Sequence, residues 1–173
     1  FEDAVEKMPK LRRTLIKSAI SNSKAYKLAW RKFNLLTIYR VSIIDRTISL
    51  VELLLRLPIH RISSIYLWPK ILNKICGGRL LFPISGGGAI APHIDSFFES
   101  IGLELLVGYG LTETSPVLTC RRPWRNIRGS SGQPLPKTEI KIIDVETLDI
   151  KNFYEKGLVM AKGPQVMSGY LGK

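Results

Sequence analysis

The hydrophobic positions in the first part of the chain recur at helical spacing. Over residues 3–33 the apolar side chains return every three or four positions: Val5, Met8, Leu11 and Leu15. This periodicity predicts an amphipathic helix. The polar run 21–23 can cap a following helix, which would carry Tyr26, Trp30 and Phe33 on one side.

The next segment, residues 35–57, is richly apolar but contains five charged residues. This number of charges argues against a membrane-spanning helix. We expect Pro58 to end the segment, because proline lacks an amide proton and its ring obstructs the preceding helical turn.

The pattern changes at Arg79. Residues 79–85 form a short apolar run, which is followed by three glycines and by Pro92 at a predicted helix start. This helix carries apolar residues at i, i+3, i+4 and i+7: Ile94, Phe97, Phe98 and Ile101. Their spacing predicts one packed face, and Gly102 suits the C-terminal cap.

Short apolar runs continue towards the end of the chain. Residues 103–107, 138–145 and 158–161 are predicted strands, with a turn at 149–156. The order of strand, glycine loop, helix and strand predicts an α/β fold with a parallel sheet. In such a fold the ligand loops lie at the carboxyl ends of the strands.

Charge divides the chain into two parts. The net charge is +12, and residues 1–75 hold 15 Lys or Arg against 5 Asp or Glu, whereas residues 76–173 hold 11 against 9. We therefore distinguish a basic amphipathic helical segment, 1–75, from an α/β portion, 76–173. The basic segment could contact a membrane surface. Nucleic acid is disfavoured, because no DNA- or RNA-binding motif accompanies the charge.

The cysteines and histidines predict no metal site. Cys76 and Cys120 lack C-x-x-C spacing and a nearby histidine cluster, which fits a reduced cytosolic setting and argues against structural zinc. His60 and His93 are isolated, so we interpret both as structural or surface residues.

The run from Val107 to Pro116 concentrates groups that can bind a nucleotide. It contains two glycines, which let the backbone approach a ligand closely. Tyr109 offers a flat face for a base, Thr112 a donor for a phosphate oxygen, and Glu113 a hard oxygen ligand for Mg²⁺. Taken alone, a glycine pair of this kind is more typical of a tight turn.

Three further runs accompany this one in a fixed order. They are Ser85-Gly-Gly-Gly-Ala-Ile-Ala-Pro92, Gly129-Ser-Ser-Gly-Gln-Pro-Leu-Pro136 and Gly163-Pro-Gln-Val-Met-Ser-Gly-Tyr170. Together the four runs resemble the AMP-forming acyl-activating superfamily of fatty acyl-CoA synthetases, aryl-CoA ligases and luciferases. Residues 71–173 look most like its long-chain fatty acid branch, particularly the bacterial and plastid acyl-acyl-carrier-protein synthetases.

The resemblance implies roles for individual residues. Tyr109 would stack on adenine, Thr112 would contact the AMP phosphate, and Glu113 would hold Mg²⁺, so that Thr112 and Glu113 are the catalytic candidates. The nucleotide-binding loops would be formed by two groups of residues: Gly86, Gly87, Gly88 and Ala89, and Gly108, Tyr109, Gly110 and Leu111. The first group would separate the adenine and acyl pockets. Gly108 and Gly110 would lie against the adenylate and the acyl carboxylate.

The implied activity is ATP-dependent ligation of a fatty acid. An acyl-adenylate would form with release of pyrophosphate, and the acyl group would pass to CoA or to the phosphopantetheine of acyl carrier protein. This chemistry needs positioned donors and a metal more than a nucleophilic side chain. A cytoplasmic or plastid location would follow, with peripheral membrane contact through residues 1–75 as a further hypothesis.

Some positions depart from the family pattern or have a second interpretation. In many relatives a polar residue stands at the position of Val107, and its side chain can reach the adenine amino group. Because valine has no polar side-chain atom, we expect no such contact from Val107. Residues 129–137 look like a phosphate loop, but their place in the order favours a structural turn before the strand at Thr138. Four nearby arginines are interpreted as a solvated loop, or alternatively as a contact for carrier protein or CoA phosphates: Arg121, Arg122, Arg125 and Arg128.

The resemblance also implies that other catalytic parts lie outside this chain. The phosphate loop is expected upstream of Phe1, and the ribose-binding aspartate, the hinge and the lysine of a small C-terminal domain are expected after Lys173. We therefore interpret the chain as an internal fragment and expect it to have no ligase activity by itself. Alternatives are an aryl or medium-chain acid ligase and a non-catalytic membrane-surface module. A dinucleotide oxidoreductase is disfavoured, because no G-x-G-x-x-G follows a strand.

Overall fold

The computed structural model describes residues 5–172. Its main helices are α1 (Lys10–Phe33), α2 (Ile43–Tyr66), α3 (Trp68–Cys76) and α4 (Pro92–Ser100). The strands are β1 (Ile84–Ser85), β2 (Leu106–Tyr109), β3 (Thr119–Cys120), β4 (Gln133–Pro134), β5 (Glu139–Ile143) and β6 (Leu158–Lys162). The α/β class predicted from the sequence is confirmed.

The strands form two sheets. In the four-stranded sheet, of order β1-β2-β3-β4, β1 and β2 are parallel, whereas β3 and β4 join in antiparallel pairing. Among the described strands the parallel arrangement expected from the sequence is therefore limited to β1 and β2. A separate antiparallel pair, β5 and β6, runs in register from Glu139 opposite Lys162 to Ile143 opposite Leu158. The predicted strands at 138–145 and 158–161 correspond to β5 and β6, while the one at 103–107 begins three residues later than expected.

A small apolar core lies between α1, α3 and α4. Its buried members are Ala19, Trp68 and Ile101, with Phe97 and Phe98 packed against them. The predicted face of α4 therefore contributes to the core, except that Ile94 is 40 % exposed. Gly102 adopts φ +92° after the last turn of α4, as expected of a left-handed C-terminal cap.

Helices α1 and α2 pack through polar side chains. A polar stripe of α2 recurs every three or four residues: Asp45, Ser49, Glu52, Arg56, His60 and Ser63. Ser23 of α1 lies 3.0 Å from Nδ1 of His60, and the Tyr26 ring stacks on the His60 imidazole at 4.1 Å. His60 is therefore a structural residue. Burial, and then the positive charges of two neighbouring basic residues, lower its pKa to about 4.

This packing explains two expectations that were wrong. The polar run 21–23 does not begin a new helix, because Asn22 and Ser23 bind α2 instead, and Asn22 donates to the Arg56 carbonyl at 3.2 Å. Pro58 does not end its segment either, and α2 continues to Tyr66. Contacts with α1 along α2 offset the missing hydrogen bond that proline causes.

Two carboxylates of α4 are buried and paired with arginines. Glu99 accepts from Nε of Arg31 at 2.6 Å and lies 3.0 Å from Nη2 of Arg128. One turn earlier, Asp95 pairs with Nη1 of Arg121 at 2.7 Å. The solvated-loop interpretation of the arginine run is thus wrong for Arg121 and Arg128. Their guanidinium groups neutralise carboxylates that would otherwise be too costly to bury.

The same arginines fix the loop at 121–130. Arg31 also donates to the backbone carbonyl of Asn126, and the Asn126 amide donates to the Leu105 carbonyl at 3.1 Å. Arg121 Nε donates to the Ser130 carbonyl at 2.7 Å. Helix α1, helix α4, the start of β2 and this loop are therefore joined by one polar network.

We predict that Arg31→Met destabilises the fold by about 3–5 kcal/mol, because Glu99 would lose a buried partner. The matched control is Arg13→Met, which breaks only an exposed pair with Glu6 and should cost less than about 1 kcal/mol. Urea unfolding of the protein measures both changes. Equal losses in the two variants would contradict the role assigned to the Arg31–Glu99 pair.

Candidate active site

Parallel pairing of β1 and β2 brings the two predicted glycine loops together. Ile84 pairs with Leu106 and Ser85 with Val107, so both strands end at the same edge of the sheet. The Gly86–Ala89 loop therefore emerges beside Gly108, and a Cβ added at Gly86 would lie 3.6 Å from the Gly108 carbonyl oxygen. Two sequence motifs separated by about twenty residues thus form one continuous surface.

The Gly86–Ala89 loop is open on its outer side. All four of its residues are exposed, and Gly87 adopts φ +78°, a conformation that favours glycine. A Cβ placed at Gly87 or Gly88 would meet no atom within 4 Å. The loop can therefore accept a ligand close to its backbone.

Gly110 is required by the fold of its own loop. A Cβ at this position would lie 1.7 Å from the Pro116 carbonyl oxygen. No rotation of a side chain can relieve this clash, because the backbone fixes the positions of both the Cβ and the carbonyl oxygen. The resemblance assigns Gly110 to ligand contact, and the structure adds this closure of the 110–116 loop. At Gly108, by contrast, an added Cβ would make only an ordinary van der Waals contact, 3.7 Å from the Thr119 carbonyl oxygen.

Thr114 shapes the turn that carries the catalytic candidates. Thr112–Thr114 is a single 3₁₀ turn, and the buried Thr114 hydroxyl accepts from the Leu111 amide at 2.9 Å and lies 3.0 Å from the Pro116 carbonyl oxygen. Thr112 and Leu111 are exposed, and Glu113 is half-buried. Thr114 was not among the candidate residues predicted from the sequence.

Tyr109 and Val107 differ in what they present to the site. Tyr109 ends β2, pairs with Thr119 and is half-buried, so part of its ring is accessible. Val107 is only 8 % exposed. The valine therefore belongs to the core, which agrees with the expectation that it makes no polar contact to a base.

The Gly163–Tyr170 run folds back onto the turn Thr112–Thr114. The Met167 amide donates to the Glu113 carbonyl at 2.8 Å, and the Tyr170 hydroxyl donates to Oε1 of the Glu113 carboxylate. This phenol hydrogen bond is the main cause that lowers the pKa of Glu113, and it raises the pKa of Tyr170. The sequence indicates this run as a family motif, but its contact with Glu113 was not predictable from the motif alone.

Glu113 is suited to a metal that is bound mainly by a nucleotide. Within residues 5–172, no group of three or more His, Cys, Asp or Glu side chains gathers as a metal site. Mg²⁺ commonly takes one or two protein carboxylates and completes its coordination with water and substrate phosphates. One ionised, accessible carboxylate therefore fits Mg²⁺ of this kind.

The Gly129–Lys137 run has a structural place. It contains β4, and a Cβ at Gly132 would lie 2.0 Å from the Cys120 carbonyl carbon, so glycine is needed where β4 approaches β3. Lys137 adopts φ +62° in the turn before β5. The structure thus agrees with a turn-forming role rather than a phosphate loop.

The candidate residues lie on an open surface rather than in a large cavity. A cavity of about 570 Å³ lies between α1, the 36–39 segment and α4. Its lining includes Ile90, directly after the Gly86–Ala89 loop, but none of the candidate nucleotide-binding residues. The exposed edge where β1 and β2 end lies outside this cavity.

Comparison with known proteins assigns the family. Residues 20–171 match the profile described as "AMP-binding enzyme". The chain belongs to this family. It is 42 % identical over 132 residues to a chloroplastic long-chain-fatty-acid–[acyl-carrier-protein] ligase of Arabidopsis thaliana, a match covering 76 % of this chain and 18 % of that protein. A long-chain-fatty-acid–CoA ligase of Bacillus subtilis is 41 % identical over 92 residues, covering 52 % of this chain and 16 % of that protein.

Solved structures of family members share the fold. A benzoate CoA ligase from Burkholderia xenovorans matches with TM-score 0.50 and 28 % identity, over 54 % of this chain and 19 % of that one. The o-succinylbenzoate CoA synthetase of Bacillus subtilis in complex with AMP matches with TM-score 0.51 and 28 % identity, over 60 % of this chain and 23 % of that one. The chain thus spans about a fifth of the length of these proteins, and the resemblance to adenylate-forming enzymes is confirmed.

Proposed function

We propose that the protein carrying this chain is an ATP-dependent ligase that activates a long-chain fatty acid as an acyl-adenylate. The observation that carries the proposal is the edge where β1 and β2 end. There the exposed Gly86–Ala89 loop lies beside Gly108, and Thr112 and Glu113 follow within the next turn. Membership of the AMP-binding family and the long-chain fatty acid relatives support this assignment.

The residues of this edge have complementary tasks. Glu113 holds Mg²⁺, which neutralises phosphate charge, and the exposed Thr112 hydroxyl donates to a phosphate oxygen. The accessible part of the Tyr109 ring packs against adenine, while the backbone of the two glycine loops lies against the adenylate. The fatty acid carboxylate attacks the α-phosphorus and pyrophosphate leaves. A thiol then attacks the acyl carbon, and AMP departs.

The acceptor is CoA or the phosphopantetheine thiol of acyl carrier protein. The 42 % identical Arabidopsis relative is a carrier-protein ligase and the 41 % identical Bacillus relative is a CoA ligase, so both acceptors remain within the proposal. The chloroplastic relative supports a plastid or cytoplasmic location. An aryl acid is the less favoured substrate, because the benzoate CoA ligase is only 28 % identical.

We predict that Glu113→Gln in the complete protein depresses adenylate formation by about 100-fold or more, because the metal would lose its anionic ligand. Fatty-acid-dependent exchange of pyrophosphate into ATP is the assay. Glu139→Gln is the matched control, since Glu139 is exposed on β5, and its exchange rate should stay normal. Near-normal exchange in Glu113→Gln would remove Glu113 from the metal role.

A second proposal concerns the basic segment, residues 1–75, which we assign to an anionic membrane surface. Its helix α2 is polar towards α1 and apolar outwards. Exposed apolar residues recur along one side of α2 over about five turns: Ile44, Ile48, Val51, Leu55, Ile59 and Ile62. Their exposed fractions lie between 51 % and 74 %, and exposed apolar stripes of this length mark interaction surfaces.

No helix within the described part of the chain is long and apolar enough to cross a bilayer. The charge of the basic segment favours an anionic lipid surface. The segment's net charge of +10 complements anionic headgroups, and each basic residue near such a surface contributes on the order of 1 kcal/mol. Tyr26 and Phe33 of α1 pack against His60 and Arg46, so α2 is the better candidate for the lipid contact.

We predict that the protein floats with anionic liposomes and that the double variant Ile44→Glu/Leu55→Glu abolishes flotation. The control Val145→Glu/Phe153→Glu also replaces two exposed apolar side chains by glutamate, but outside this segment, where Val145 is 70 % and Phe153 94 % exposed. This control should float normally. Flotation should weaken steeply as salt rises to physiological strength. Point variants are preferable to deleting residues 1–75, because deletion would remove Arg31 from the buried Glu99.

Equal flotation of both variants, or no flotation of the unmodified protein, would defeat the membrane proposal. The apolar stripe of α2 would then be assigned to packing against another part of the protein. Neither result would affect the ligase proposal, which depends on different residues.

A further inference from the structure

Hydrogen bonds besides that of Tyr170 anchor the segment 163–170. The Met167 backbone amide donates to the Glu113 carbonyl at 2.8 Å. The side-chain amide of Gln165 donates to the Thr138 hydroxyl at 2.7 Å. The segment is therefore in place without the Tyr170 side chain.

The Tyr170 hydroxyl adds a contact to the Glu113 side chain itself. It donates to Oε1 of the carboxylate, whereas the Met167 amide bonds only the Glu113 main chain. A glutamate side chain that is half-exposed has several rotamers available. Tyr170 selects among them, since its ring comes from a segment that is fixed independently.

This hydrogen bond occupies one of the two carboxylate oxygens of Glu113. An ionised carboxylate has two oxygens and about four acceptor sites, so a bond to Oε1 leaves Oε2 free.

We propose that Tyr170 is a positioning residue, whose hydroxyl orients the carboxylate of Glu113 so that Oε2 receives the divalent cation. The inference rests on the proposed function, because it takes Glu113 as the metal ligand. Groups that hydrogen-bond to ligating carboxylates typically alter metal affinity by about 10- to 100-fold when removed. Tyr170 contacts neither nucleotide nor fatty acid in this assignment and acts only through Glu113.

The test measures metal binding directly. Mn²⁺ replaces Mg²⁺ as the probe, and its binding to the complete protein with a non-hydrolysable ATP analogue is titrated by electron paramagnetic resonance. We expect Tyr170→Phe to weaken Mn²⁺ binding by about 10-fold with an unchanged thermal unfolding midpoint. The matched control is Tyr154→Phe, which removes a phenol hydroxyl from a residue that is 77 % exposed in the loop between β5 and β6 and should bind Mn²⁺ normally.

A double-mutant cycle with Glu113→Gln separates this inference from the proposed function. If Tyr170 acts through Glu113, adding Tyr170→Phe to Glu113→Gln should produce no further loss. If Glu113→Gln weakens Mn²⁺ binding but Tyr170→Phe behaves like Tyr154→Phe, the positioning role is overturned and the metal role of Glu113 stands. If Tyr170→Phe weakens binding equally with and without the Glu113 carboxylate, the hydroxyl does not act through Glu113 and the inference also fails. If Glu113→Gln itself leaves Mn²⁺ binding unchanged, the metal role fails and this inference fails with it.

Discussion

The buried ion pair between Arg31 and Glu99 is the constraint on which the rest of the structure depends. Glu99 lies in α4, and its side chain is 2 % exposed, so it can be charged only while a cation is beside it. Arg31 comes from the end of α1 and Arg128 from the loop after β3. The Glu99 carboxylate thus joins three separate parts of the chain. A second buried ion pair, between Asp95 and Arg121, lies one turn away along α4. Because α4 begins three residues after Ala89, this network also fixes where the Gly86–Ala89 loop leaves the sheet.

The candidate site is formed mainly by backbone, and its side chains are positioned by neighbours that do no chemistry. Gly110 is needed to close its own loop against Pro116, and the Thr114 hydroxyl fixes the turn that presents Thr112 and Glu113. The Gly163–Tyr170 segment completes this arrangement by contacting both the main chain and the side chain of Glu113. An adenylating enzyme requires this kind of rigidity, because its catalysis relies on orienting substrates and on fixed electrostatics.

The proximity of the two glycine loops was predictable from the sequence, whereas the packing of the helices was not. The order of strand, glycine loop, helix and strand was sufficient to place Gly86 near Gly108, since parallel strands end at a common edge. Burial of Asp95 and Glu99 was not predictable, because the partner arginines lie 26 to 68 residues away in the chain and charged residues between apolar ones usually indicate a solvated face. The packing of α2 on α1 through polar side chains was not predictable for the same reason. Its continuation through Pro58 depends on contacts with α1, such as Asn22 with the Arg56 carbonyl, which no local pattern reveals.

The most direct test of the account follows the oxygen atoms of the substrate carboxylate. If the complete protein activates a fatty acid through an adenylate, one carboxylate oxygen becomes bonded to the α-phosphorus and stays there when the thiol takes the acyl group. A long-chain fatty acid labelled with heavy oxygen in its carboxylate, incubated with ATP, Mg²⁺ and CoA or acyl carrier protein, should therefore yield AMP that carries one heavy oxygen by mass spectrometry. Formation of unlabelled AMP, or of ADP in place of AMP, would contradict the acyl-adenylate mechanism and with it the function proposed for this chain.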